Sequence, residues 1–89
     1  MPRVRWSRTF EKSFRKLPTA IQDAAFRAVS KLLEDAARPS LNLEKLHASE
    51  YWSIRVNAGY RILLRPESDP EGDVFRLMDI GPHDIYRRV

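Results

Sequence analysis

Apolar positions along this chain change period twice, and each change marks a new kind of element. Residues 3 to 6, Arg-Val-Arg-Trp, alternate polar and apolar, which predicts a short first strand. Ser7 then stands where a helix N-cap belongs. After it Phe10, Phe14 and Leu17 recur at helical spacing, with Glu11, Lys12, Arg15 and Lys16 on the other faces. Pro18 ends that helix. Thr19-Ala-Ile-Gln22 reads as a capping box, in which the hydroxyl and the side-chain amide each satisfy an orphan backbone N–H. From there Ile21, Ala25, Ala28, Leu32 and Ala36 form one stripe, widened by Val29 and Leu33. The stripe predicts a second helix running to about Ala37, stopped by Pro39. Two helices joined by so tight a link make an antiparallel hairpin.

Residues 38 to 50 hold Pro39, Ser40, Asn42 and Ser49 with no sustained period, and read as a loop. Period two then returns in three strands: Tyr51 to Val56, Tyr60 to Arg65 and Val74 to Ile80. Between the last two lies an acidic, breaker-rich turn from Pro66 to Asp73, and the tail from Gly81 to Val89 starts irregular. The first hairpin allows a register argument. A three-residue loop, Asn57-Ala58-Gly59, sets Val56 against Tyr60 and places Gly59 at the left-handed position such loops favour. Trp52, Ile54 and Val56 then share a face with Tyr60, Ile62 and Leu64, under the helices. Arg55 and Arg61 stand side by side on the opposite face. The expected fold is α+β: an N-terminal helical hairpin on one face of a small, mainly antiparallel twisted sheet of three or four strands. It forms a single domain over residues 1–89, with Phe10, Phe14, Leu17, Ile21, Leu32, Trp52, Ile54, Ile62 and Leu64 mostly buried.

Charge adds a partner to this picture. Sixteen Lys and Arg against twelve Asp and Glu give a net charge of +4. Twelve of those sixteen cations are Arg, whose forked guanidinium suits phosphate and carboxylate. Two such groups paired across strands repel, so the Arg55–Arg61 pair makes sense where something anionic sits between them. The chain has no cysteine, which excludes disulfides, thiolate metal sites and cysteine nucleophiles and fits a reducing cytoplasm. No signal peptide and no membrane-spanning run is expected. His47 and His83 are far apart and no metal-ligand spacing appears, so neither metal nor cofactor is expected. The segment after the last strand, Gly-Pro-His83-Asp-Ile-Tyr86, carries the side chains best suited to proton transfer or base stacking.

The ordered set resembles the RelE/ParE superfamily of toxins from type II toxin–antitoxin pairs. It comprises a basic N-terminus, a helical hairpin, the stretch Tyr51-Trp-Ser-Ile-Arg-Val-Asn-Ala-Gly-Tyr-Arg-Ile-Leu-Leu64, an acidic turn, and Val74-Phe-Arg-Leu-Met-Asp-Ile-Gly-Pro-His-Asp-Ile-Tyr86. The resemblance covers almost the whole chain. It implies a toxin bound by a cognate antitoxin in a hetero-oligomer. In the RelE-like branch it implies a ribosome-dependent endoribonuclease that cuts messenger RNA without a metal, by attack of a ribose 2′-OH on the adjacent phosphate. The other branch implies a ParE-like inhibitor of DNA gyrase that cuts nothing. Carried over by position, Arg61, His83 and Tyr86 are the catalytic candidates, and Arg55, Arg65 and Arg87 the substrate-binding ones. Ser53 stands where some members carry another basic residue, and no carboxylate is placed as a general base.

Overall fold

The computed structural model describes residues 3–46 and 49–85. Its elements in chain order are β1 (Arg3–Trp6), α1 (Arg8–Arg15), α2 (Thr19–Glu34), β2 (Glu44–Lys45), β3 (Trp52–Arg55), β4 (Tyr60–Asp69) and β5 (Gly72–Pro82). A 3₁₀ turn over Pro39–Leu41 lies between α2 and β2. The strands form one sheet in the order β1-β5-β4-β3-β2. All neighbours are antiparallel except β1 and β5, which run parallel. The α+β class stands as expected, with five strands instead of three or four.

Local chemistry explains where the boundaries fall. Ser7 caps α1 by accepting from the backbone N–H of Phe10 at 3.0 Å, while its own hydroxyl donates to the Met78 carbonyl, also at 3.0 Å. One serine therefore starts a helix and pins it to β5. The capping box expected at Thr19 does not form. Pro18 occupies the cap with no side-chain bond, and the Gln22 amide instead donates to the Phe14 carbonyl at 2.9 Å, tying α2 to the end of α1. The second helix stops at Glu34, before Ala37, because Asp35 turns the chain: its Oδ1 accepts from the Ala37 N–H at 3.0 Å.

The core lies between the helices and one face of the sheet. Phe10, Phe14, Ala25, Ala28 and Leu32 from the helices meet Ile54, Ile62, Leu64, Leu77 and Ile80 from the strands. Trp52 and Leu17 pack against it but, like Ile21, are half-buried and not mostly buried as expected. Trp6 joins Phe10 and Phe14 edge to face, with centroids 4.8 and 5.0 Å apart. Leu63 and Ile85 are buried as well but fall outside this cluster. No described helix is long and apolar enough to cross a membrane.

Two expectations about turns change. The residues from Pro66 to Asp73 are mostly strand, with β4 and β5 paired as far as Asp69 and Gly72 around Pro70-Glu71. Pro66 is tolerated because β3 stops at the partner of Leu64, leaving that edge of β4 open. Gly72 takes the positive φ of 121° that closes the turn. In the β3–β4 connection Gly59 has no positive φ. The Asn57 carboxamide shapes that loop instead, its Oδ1 accepting from Gly59 N at 2.9 Å and Tyr60 N at 3.0 Å.

Candidate functional site

The register places Ile54 opposite Ile62 and Arg55 opposite Arg61, as the alternation required. Period two then assigns the sheet's outer face, away from the helices. Arg55 and Ser53 come from β3, and Arg61, Leu63, Arg65, Glu67 and Asp69 from β4. The parallel pairing Arg3↔Val74 and Arg5↔Arg76 adds Arg3, Arg5 and Arg76. Six arginines therefore share one surface.

They are not equivalent. At the β4–β5 turn the cations are neutralised within the sheet. Glu67 accepts from Arg65 Nε at 3.0 Å and approaches Arg76 at 3.8 Å. Asp69 pairs with Arg3 and lies 3.6 Å from Arg5. Hydrogen bonds from Arg65 and from Arg3 hold the Glu67 and Asp69 carboxyls below their ordinary range, and the same bonds raise the two arginines. Arg65, a substrate-binding candidate, is thus engaged inside the protein, with Glu50 also 3.7 Å away.

At the other end of the face, neither Arg55 nor Arg61 has an ion pair with any described residue. Arg55 is exposed and Arg61 half-buried. The Nη1 of Arg61 is shielded from solvent and has no hydrogen-bond acceptor among the described residues. Its partner on β5 is Gly81, which brings no side chain to answer the charge. Leaving a charged donor buried and unpaired is among the more costly arrangements a fold can hold.

His83 follows directly. Its backbone N–H donates to the Gly59 carbonyl at 2.9 Å, extending the β4–β5 pairing by one step beyond Tyr60↔Pro82. The histidine is exposed, two residues past the partner of Arg61. Ile85, buried, draws the chain after β5 back against the protein. Tyr86 and Arg87, the remaining candidates, lie outside the described residues, as does His47. The structure thus brings Arg55, Arg61 and His83 to one end of the sheet and sets Arg65 apart. Sequence reasoning missed the anions that divide the face. The signal was present in the alternation Arg65-Pro-Glu67-Ser-Asp69, which continues the strand period straight through a proline.

Comparisons with known proteins agree with this architecture. Residues 4–85 match the family described as the ParE toxin of type II toxin–antitoxin system, parDE. Among solved structures, the YoeB/ParE toxin from Agrobacterium tumefaciens superposes with a TM-score of 0.74 at 14% identity, over 91% of this chain and 98% of that one. YafQ from E. coli strain BL21(DE3) gives 0.73 at 11% identity, over 97% and 98%. The RelBE2 toxin–antitoxin complex from Mycobacterium tuberculosis gives 0.62 at 24% identity, over 91% and 96%. At these identities the likeness is one of fold. No curated protein sequence matches the chain.

Proposed function

Because the chain belongs to the ParE toxin family of type II toxin–antitoxin systems, we propose that it is a toxin acting in the cytoplasm on ribosome-bound messenger RNA, as an endoribonuclease. The observation that carries this reading is the Arg61 guanidinium, with one buried nitrogen unpaired and a second arginine directly across the strand. A phosphodiester attacked by a ribose 2′-OH passes through a phosphorane whose non-bridging oxygens gain negative charge. Preorganised cations in a partly dry corner stabilise that charge more than they stabilise the ground state. Arg61 holds the scissile phosphate and Arg55 assists. His83 moves a proton between the ribose 2′-OH and the leaving oxygen. Tyr86 stacks on a base or shares that proton transfer, and Arg87 adds backbone contact.

The same reading gives the toxin a cognate antitoxin, bound as a hetero-oligomer. Several structural neighbours are themselves toxin–antitoxin complexes, among them the E. coli RelBE pair and DinJ–YafQ. A second reading, inhibition of DNA gyrase without cleavage, is favoured by the ParE name of the matching family. Induced expression separates the two, with messages followed by primer extension and plasmids by supercoiling. Discrete cuts in translated messages with normal supercoiling are expected. Intact messages with lost supercoiling replace this reading with the second.

A further inference from the structure

The last turn of α2 and the strands beside the β4–β5 turn enclose a groove of about 590 Å³. Leu33 and Ala36 from the helix end and Pro66 and Phe75 from the strands give it an apolar floor. Period two sets Asp73 on the same face as Phe75, with Ser68 and Pro66 across from them. Four carboxylates, those of Glu34, Asp35, Glu67 and Asp73, line the groove. Two are engaged: Glu34 lies 3.3 Å from Arg38, and Glu67 accepts from Arg65. Asp35 and Asp73 are exposed and have no ion pair with a described residue. The helix deepens this negative potential. Asp35 closes α2 by donating its N–H to the Lys31 carbonyl, and the carbonyls of Leu32, Leu33 and Glu34 accept no hydrogen bond from a described residue. Those oxygens carry the negative end of the helix dipole, roughly half an elementary charge, at the groove's wall.

We propose that this groove binds a linear aliphatic polyamine, its methylene stem on the apolar floor and its ammonium groups at Asp35, Asp73 and the helix-end carbonyls. Uncompensated carboxylates beside orphan carbonyls call for a cation whose N–H groups can donate. A metal ion fits poorly, because among the described residues no three His, Asp or Glu side chains gather so as to hold one. The apolar floor calls for a ligand that is itself part hydrocarbon. A basic peptide would bring the same ammonium groups but would also bring backbone N–H and C=O groups in need of partners. The edge of β4 beyond Leu64 is open, yet Pro66 has no N–H to give, so a strand does not add there. The groove lies at the opposite end of the sheet from Arg61, and nothing in it depends on which target the toxin attacks.

The test titrates the full chain, made by chemical synthesis, with spermidine in a calorimeter at fixed ionic strength. Saturable binding is expected. Butylamine, which has a similar stem and a single charge, should bind about tenfold or more weakly. A fully N-methylated spermidine, which keeps the charge and loses the N–H donors, should also lose affinity. The double variant Asp35→Asn/Asp73→Asn should weaken spermidine binding about tenfold, each exposed pair being worth at most about fivefold. Both substitutions conserve shape, and an amide oxygen can still accept from the Ala37 N–H. Asp23→Asn removes an equal charge from the first half of the same helix, outside the groove, and should change affinity less than about twofold. Circular dichroism verifies that the variants are folded; if the double variant is not, Asp73→Asn alone takes its place with a smaller expected loss. No saturable binding, or equal losses from Asp23→Asn and from the groove pair, would each overturn the proposal. So would a lysine-rich peptide that binds through Asp35 and Asp73 where spermidine does not, an outcome that assigns the groove to a protein partner instead.

Discussion

The two ends of the sheet's outer face carry the same residue type to opposite effect. Near the β4–β5 turn, Arg3, Arg5, Arg65 and Arg76 surround Glu67 and Asp69, and their charge is spent holding strands together. Near the β3–β4 turn, Arg55 and Arg61 face each other with no described carboxylate within reach. A count of arginines cannot tell these ends apart; the placement of two acidic residues does. Arginine paired within the strands stabilises the fold, and arginine left unpaired on them is available to a ligand at the fold's expense.

The largest effect expected of the proposed endoribonuclease is on cleavage. Arg61→Ala should lower cleavage by ~10²–10³, the usual loss on removing a preorganised charge stabiliser. Arg65→Ala, on the same strand and face, should change it less than tenfold, because that guanidinium is already committed to Glu67. Primer extension on ribosome-bound messages reads both. Equal losses would erase the distinction between the two ends.

Stability should move the other way. Arg61→Met keeps the aliphatic bulk and removes a buried unpaired donor, so the variant should be more stable by ~1 kcal/mol or more. That corresponds to about 4–8 °C in Tm per kcal/mol for a domain of this size. Arg65→Met should lower Tm instead. Differential scanning calorimetry checks the sign, which matters more than the size.

A smaller effect is expected in salt. Glu67→Gln frees a cation at the paired end, so the dependence of log K on log salt for a single-stranded oligonucleotide should steepen by about 0.7 per cation released. An unchanged slope would mean that those arginines stay withheld by geometry alone. The subtlest prediction concerns acid. Glu67 and Asp69 titrate below their unfolded values, so their contribution is complete above the ordinary carboxylate range and is lost as pH falls through the depressed values. The Tm of the wild type should therefore drop below about pH 4 more steeply than that of Glu67→Gln/Asp69→Asn, and the two curves should converge in strong acid.

The unpaired end of the face was legible in the sequence because it depends on local rules. Alternation fixed which side chains of residues 52–56 and 60–64 share a side, and the loop length set Arg55 against Arg61. That register survived an error about Gly59, since the Asn57 carboxamide closes a loop of the same length by another route. The paired end was hidden because it is assembled from afar. Nothing near Arg3 announces Asp69, and Pro66 argued for a turn where an open edge permits a strand. The helix ends were misplaced for a related reason: Gln22 and Asp35 spent their side chains on other partners than the adjacent helix backbone.

The parallel pairing of β1 with β5 also sets a clock. Arg3 and its strand partner Val74 stand 71 positions apart in the chain. At ~5–20 residues per second, β1 waits roughly 4–14 s after leaving the peptidyl-transfer centre before β5 has been synthesised to receive it. The same late strand supplies Gly81 opposite Arg61 and leads into His83. A chain released before β5 would leave β1 and one edge of β4 unpaired, so such truncated products should be unfolded. Such an ordering of birth delays the completed sheet until both long strands have been made.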